Sequence, residues 1–155
     1  MAVPALDGVE ARIVEELAGI RGLDRARATG VRRVEAYLDP ASVRSVFQAL
    51  LEPRGIIHLS AISGMDTGKH IVAVYHAVLD GVVVSLFAEL DRKEPRVDTV
   101  VDLIPGASSH EREVHDLLGI DVRGNHNMKP LVLPDDWPPD AYPLRKDFKP
   151  GEEAR

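Results

Sequence analysis

Residues 70 to 90 read HIVAVYHAVLDGVVVSLFAEL, an apolar run with Asp80-Gly81 at its middle. A run of this length admits a membrane-spanning helix or two strands meeting at a turn. Asp80 decides between them. A carboxylate at a bilayer centre costs about 2.5–3.5 kcal/mol on insertion scales, whereas Asp-Gly between two apolar runs is a strong hairpin signal. The sequence predicts strands over 70–79 and 82–90 in a soluble chain, with any membrane association made through partners.

The flanks extend that hairpin into a domain. IIHLSAIS (56–63), followed by the loop GMDTG (64–68), adds a third antiparallel strand, and RVDTVVDLI (96–104) reads as another, broken by Pro105-Gly106. VRRVEAYL (31–38) alternates, with Val34, Ala36 and Leu38 on one face, as a half-buried strand does. Asp39-Pro40 then supplies an N-cap and an N1 proline for a helix presenting Val43, Val46, Phe47, Leu50 and Leu51 to a core. An earlier helix carries Leu6, Val9, Ile13, Leu17 and Ile20 at helical spacing, with Asp7 and Glu10 as a capping box and Gly19 and Gly22 at its end. A short third helix begins at a Ser108 or Ser109 cap and stops at Gly119. The expected class is α+β: two helices packed on one face of a mostly antiparallel sheet, a short third helix, then an extended arm. The core domain covers 1–122 and the arm 123–155. In the arm, six of the eleven prolines fall between residues 130 and 150 and no periodicity survives.

Composition removes several function classes. With no cysteine in 155 residues, the chain offers no disulfide, no thiolate nucleophile and no cysteine-ligated iron–sulfur cluster. A net charge of −6 argues against nucleic acid as a general partner. MAVPALDGVEARIVEEL lacks a basic segment leading into an apolar one, so no secretory signal is expected. Gly64 and Gly68 flank a hairpin turn with no helix after it, which is not a phosphate-binding loop.

The chemistry-bearing residues concentrate in SHEREVHDLLGI, 109 to 120. A zinc hydrolase would place two histidines one helical turn apart, but His110 and His115 are five residues apart, so their rings diverge by about 140°. A stand-alone metal-dependent hydrolase would therefore have to assemble His110, Glu111, His115 and a folded-back His126. Glu111 and Glu113 point to different sides of the helix, which disfavours a glycosidase pair. A solvated helix would pair Arg112 with Asp116 and Glu111 with His115 at i, i+4, each contributing about 0.2–0.5 kcal/mol. A partner-contacting rim is the third reading, favoured by the arm. Met128, Leu131, Val132, Leu133, the single tryptophan Trp137, Tyr142, Leu144 and Phe148 give the arm apolar groups to bury on another subunit or on its own domain.

The run Glu111-Arg112-Glu113, Asp116-Leu117-Leu118-Gly119-Ile120, Gly124, Lys129 and Leu131-Val132 resembles the signature of the hydrophilic 30-kDa subunit of respiratory complex I, the C-subunit of NADH–quinone oxidoreductase. Leu133-Pro134-Asp135-Asp136-Trp137 and Pro143-Leu144-Arg145-Lys146-Asp147-Phe148 resemble that family's ending, and the likeness runs from about Val43 to Phe148. Departures stand at Asn125-His126, where many members have His-Pro, at Ser109 and His115, where aromatics are usual, and at Leu118, where Phe is. They lean toward the relatives in membrane-bound nickel–iron hydrogenases. The resemblance implies a cofactor-free, non-catalytic subunit of an ion-translocating membrane complex, peripheral on the cytoplasmic side. Its partners would be the large catalytic subunit and the iron–sulfur subunits, which carry the clusters and the nickel–iron centre or quinone site. Glu111, Arg112, Glu113 and Asp116, and further on Arg145, Lys146 and Asp147, would then bond across an interface or tie the arm to the domain.

Overall fold

The computed structural model describes residues 8 to 151; the Leu6 and Asp7 contributions to the first helix lie outside them. In chain order it contains α1 (Gly8–Ala18), β1 (Leu23–Gly30), β2 (Arg33–Leu38), a 3-10 turn (Pro40–Ser42) leading into α2 (Val43–Leu51), β3 (His58–Asp66), β4 (His70–Leu79), β5 (Val82–Asp91), β6 (Arg96–Asp98), α3 (Ala107–Leu118) and β7 (Asp121–Arg123). The five long strands form one sheet in the order β1-β2-β5-β4-β3. All pairs are antiparallel except β2 with β5, so the fold is α+β with a mostly antiparallel sheet.

The hairpin at Asp80-Gly81 sets the register of the sheet centre. Both residues have positive φ (50° and 79°), the backbone that matches a tight turn to strand twist, and Leu79 then faces Val82. Along β4 the odd-numbered residues Ile71, Ala73, Tyr75, Ala77 and Leu79 join the buried core. Phe47 of α2 lies over this face, its ring 5.3 Å from that of Tyr75. Ile13 and Leu17 of α1 and Leu118 of α3 complete the layer, all essentially buried. At Gly64 of β3 an added Cβ would come within 2.4 Å of Leu118 Cδ1, so glycine there permits the close seating of α3.

Four sequence expectations change in detail. β1 was not foreseen: its inward positions Ala26 and Ala28 are too small to give an apolar alternation. The strand expected over 96–104 ends at Asp98 and pairs parallel with β7, outside the main sheet. It ends because Glu111 takes the Val100 N–H and the Thr99 hydroxyl. Neither Ser108 nor Ser109 caps α3. Its N-cap is Gly106, and the N–H groups of Ala107 and Ser108 donate to Ile104 and Pro105 carbonyls instead. Glu10, expected in a capping box with Asp7, is buried and accepts from the Arg32 N–H, while the Asp7 half of that box lies outside the described residues. Asp39 does cap as expected, accepting from the Ala41 N–H at 3.2 Å.

Candidate functional site

α3 has two polar rows, and each is committed to a different task. Glu111, 1% exposed, faces the domain and accepts from Thr99 Oγ1 (2.7 Å), the Val100 N–H (2.8 Å) and Asn125 Nδ2 (2.9 Å). It fastens the β6 loop and the start of the arm to one helix. Arg112 and Asp116, one turn apart, grip the next part of the arm by its backbone. Arg112 Nε and Nη2 donate to the carbonyls of Lys129 (2.8 Å) and Pro130 (2.9 Å). Asp116 Oδ2 accepts from the N–H groups of Leu131 (2.8 Å), Val132 (2.9 Å) and, more weakly, Leu133 (3.4 Å). Burial alone would raise the Asp116 carboxyl, but the Val132, Leu131 and Leu133 N–H groups outweigh it and hold it below the ordinary aspartate range. The i, i+4 side-chain pairs of a solvated helix are therefore not what these residues make.

The far end of the arm is held at two more places. Gly119 ends α3 in the left-handed conformation (φ 70°), and Tyr142 lies so close that an added Cβ would fall 2.5 Å from its ring. Arg145 stacks over Tyr142 (4.8 Å) while its Nε donates to the Leu118 carbonyl (2.8 Å), and the Leu144 N–H donates to Leu117 (3.0 Å). Beyond it, the buried carboxylate of Asp66 receives two prongs of Arg92 (Nη2 at 2.7 Å), the Gly68 N–H (2.7 Å) and the Lys146 N–H (2.9 Å). The Arg92 guanidinium foremost, then the Lys146 and Gly68 N–H groups, hold Asp66 far below the usual carboxylate range against the opposing effect of burial. Arg92 also meets Asp147 at 2.9 Å. Trp137 closes the loop between these anchors, donating to the Ala141 carbonyl (2.7 Å) and stacking on Phe148.

Of the residues singled out by sequence, Glu111, Arg112, Asp116, Gly119, Trp137, Leu144, Arg145, Lys146 and Asp147 all enter this arm-to-domain network. Lys129 enters by its carbonyl only, and Gly124 has φ 88° with an added Cβ 3.1 Å from Thr99. Glu113 is exposed, and its side chain has no hydrogen-bond or ion-pair partner among the described residues. The histidines do not converge: His115 Nδ1 sits 2.9 Å from the Ile120 carbonyl, His126 is exposed, and no group of three or more His, Cys, Asp or Glu among the described residues could hold a metal ion. Asp66, Arg92 and Thr99 carry no signal of this role in the sequence, and Asn125 stands out only as a departure from the family pattern. Asp66 lies in a segment that looks like a plain hairpin turn, and no local pattern couples it to Lys146. No helix among the described residues is long and apolar enough to cross a membrane.

The side chains of Leu131, Val132 and Leu144 remain 44, 52 and 55% exposed although their backbone is fixed. The class so defined is an α+β domain that holds its own proline-rich arm by backbone hydrogen bonds and presents an apolar-tipped surface. The family of the respiratory-chain NADH dehydrogenase 30 Kd subunit matches residues 36–154, and this chain is a member of it, of the type that serves as the C-subunit in complex I-like membrane-bound oxidoreductases. It is 36% identical to the C-subunit of the F420H2 dehydrogenase of Methanosarcina mazei over 92% of this chain and 95% of that one. It is 33% identical to the C-subunit of the NADH-quinone oxidoreductase of Moorella thermoacetica over 75% and 80%. Among solved structures, a chain of the membrane-bound sulfane sulfur reductase, an archaeal respiratory membrane complex, superimposes with TM-score 0.74 at 25% identity, covering 92% of this chain and 86% of that one.

Proposed function

We propose that this chain is a cofactor-free assembly subunit in the peripheral arm of such a complex, on the cytoplasmic side of the membrane, and that it holds the large catalytic subunit. The observation that carries the reading is the division of labour in the arm. Side chains of α3 and Asp66 satisfy its backbone, while Leu131, Val132 and Leu144 point to solvent. Exposed apolar side chains on an immobilised backbone bind with little ordering entropy to lose, which suits a permanent contact. Iron–sulfur clusters, and any nickel–iron centre or quinone, reside in this reading on the partner subunits.

The test is affinity purification of the tagged chain from mild-detergent extracts of its native host, with metal analysis of the chain expressed alone. The expected result is co-purification of a large subunit and iron–sulfur subunits in fixed ratio, with Leu131→Asp and Val132→Asp together depleting them. A chain recovered by itself, or one that binds zinc or iron stoichiometrically, would overturn the proposal.

A further inference from the structure

The same sheet has a second face that no helix among the described residues covers. Register places Val72, Val74, His76 and Val78 of β4 on it, opposite Glu89, Phe87, Ser85 and Val83 of β5. A sheet face open to water ordinarily alternates to polar residues, and a near-continuous apolar strand is the mark of burial on both faces. β4 follows the second pattern while helices cover only one side of it.

The centre of this face is already prepared for loss of water. Val74 is 2% exposed, and Tyr37 and Phe87 stack beside it at 5.1 Å. The polar groups at the centre are spent on each other, since His76 bridges Ser63 Oγ (2.9 Å) and Ser85 Oγ (3.1 Å). Covering them leaves no hydrogen bond unmade. Met65 and Val83 at the edges stand 48 and 37% exposed.

One margin is basic. Residues 21 to 33 hold five arginines and one acid in a chain of net charge −6. Arg25 and Arg33 fall on this face, opposite Tyr37 and Val83. The Arg25 guanidinium lies over the Tyr37 ring (4.0 Å), and neither its N–H groups nor those of the Arg33 side chain have a hydrogen-bond partner among the described residues. Arg27 is taken by Glu35. An aromatic and aliphatic centre with arginine at its border is the composition of a protein interface. The carboxylates of Glu35 and Glu89 on the same face disfavour an anionic lipid layer.

We infer that the open face of the sheet, centred on the Tyr37–Phe87 stack and bordered by Arg25 and Arg33, docks a second, different subunit of the parent complex whose apolar patch carries carboxylates along one side. This rests on the assembly role proposed above and gives the chain two contact surfaces, the arm and the sheet. The experiment is hydroxyl-radical footprinting of the free chain and of the same chain within the purified complex. Oxidation of Met65, Tyr37 and Phe87 is expected to slow several-fold in the complex. Equal rates in the two samples, with the chain demonstrably assembled, would overturn the docking surface alone; a chain that never assembles would overturn both proposals. Zero-length carbodiimide coupling of the assembled R33K variant then identifies the occupant. A link from position 33 to an Asp or Glu of another subunit supports the inference. A link to a second copy of this chain, or none between chains, refutes it.

Discussion

The sheet domain and the arm are held by opposite means. The domain rests on side chains: Ile13, Phe47, Leu50, Tyr75 and Leu86 are all essentially buried and make one apolar layer between helices and strands. In the arm much of the hold is on backbone. Its carbonyls at 129 and 130 and its N–H groups at 131, 132 and 146 are bound by charged side chains of the domain, while Leu131, Val132 and Leu144 stay in water. Burial that is proportional to area tolerates sequence change and resists acid; charge-assisted hydrogen bonds do neither. The single tryptophan lies in the arm, so its fluorescence follows the arm while far-UV circular dichroism follows the domain.

Five perturbations set the two regions apart. Phe47→Ala removes a fully buried ring and is expected to cost about 3–5 kcal/mol. In a denaturant melt the Trp137 signal and the dichroism should then fail together, because the arm has no scaffold without the domain. Acid should separate them. Asp66 and Asp116 are held below ordinary aspartate values, so their contribution is complete above the unfolded carboxyl value and is lost as pH falls toward the folded one. The Trp137 emission of the native chain should be constant from neutrality to about pH 5 and shift red below about pH 4, before the dichroism changes.

Asp66→Asn should reproduce part of that loss at neutral pH. A cost of about 1–3 kcal/mol on arm docking is expected for removing a charged hydrogen-bond acceptor. Proteolysis should report it as new cleavage between residues 130 and 150 with the domain intact; an unchanged digest would mean the Asp66 cluster does not hold the arm. Gly119→Ala places a Cβ in left-handed backbone at a cost of about 1–2 kcal/mol. It also drives Tyr142 from its seat, which Trp137 emission should detect as a smaller shift. Arg27→Ala breaks only an exposed pair with Glu35, and both melts should superimpose on the parent's.

The same contrast explains what could be read in advance. Apolar periodicity is local, so β2, α2 and the three-strand meander were legible from Val34-Ala36-Leu38, from Val43-Val46-Phe47-Leu50 and from the Asp80-Gly81 turn. Where the core uses alanine, as in β1, the signal fades. The arm's anchors were half visible. Glu111, Arg112 and Asp116 stood out as charges crowded on one short helix, but their partners are backbone atoms, which every residue carries and no motif marks. The clasp at Asp66 was invisible for a further reason: its bond to Lys146 spans 80 positions, and Arg92 lies 26 from Asp66 and 55 from Asp147. The Asn125 amide, noticed only as a departure from the family pattern, turned out to be a ligand of the buried Glu111 carboxylate.

That clasp also imposes an order of events on synthesis. The β3–β4 hairpin carrying Asp66 leaves the ribosome well before residue 146 exists, and Arg92 follows while the arm is still unmade. Asp66 and Arg92 can pair as soon as β5 is laid down, which gives the carboxylate a resident cation to wait with. Only when Lys146 and Asp147 arrive does the ring of some 80 residues close. A released chain cut short before Tyr142 would therefore display a finished sheet and an unlatched arm, with Leu131 and Val132 tethered through α3 but the Tyr142 seat empty. Such a chain would offer partner subunits its sheet first and its arm last.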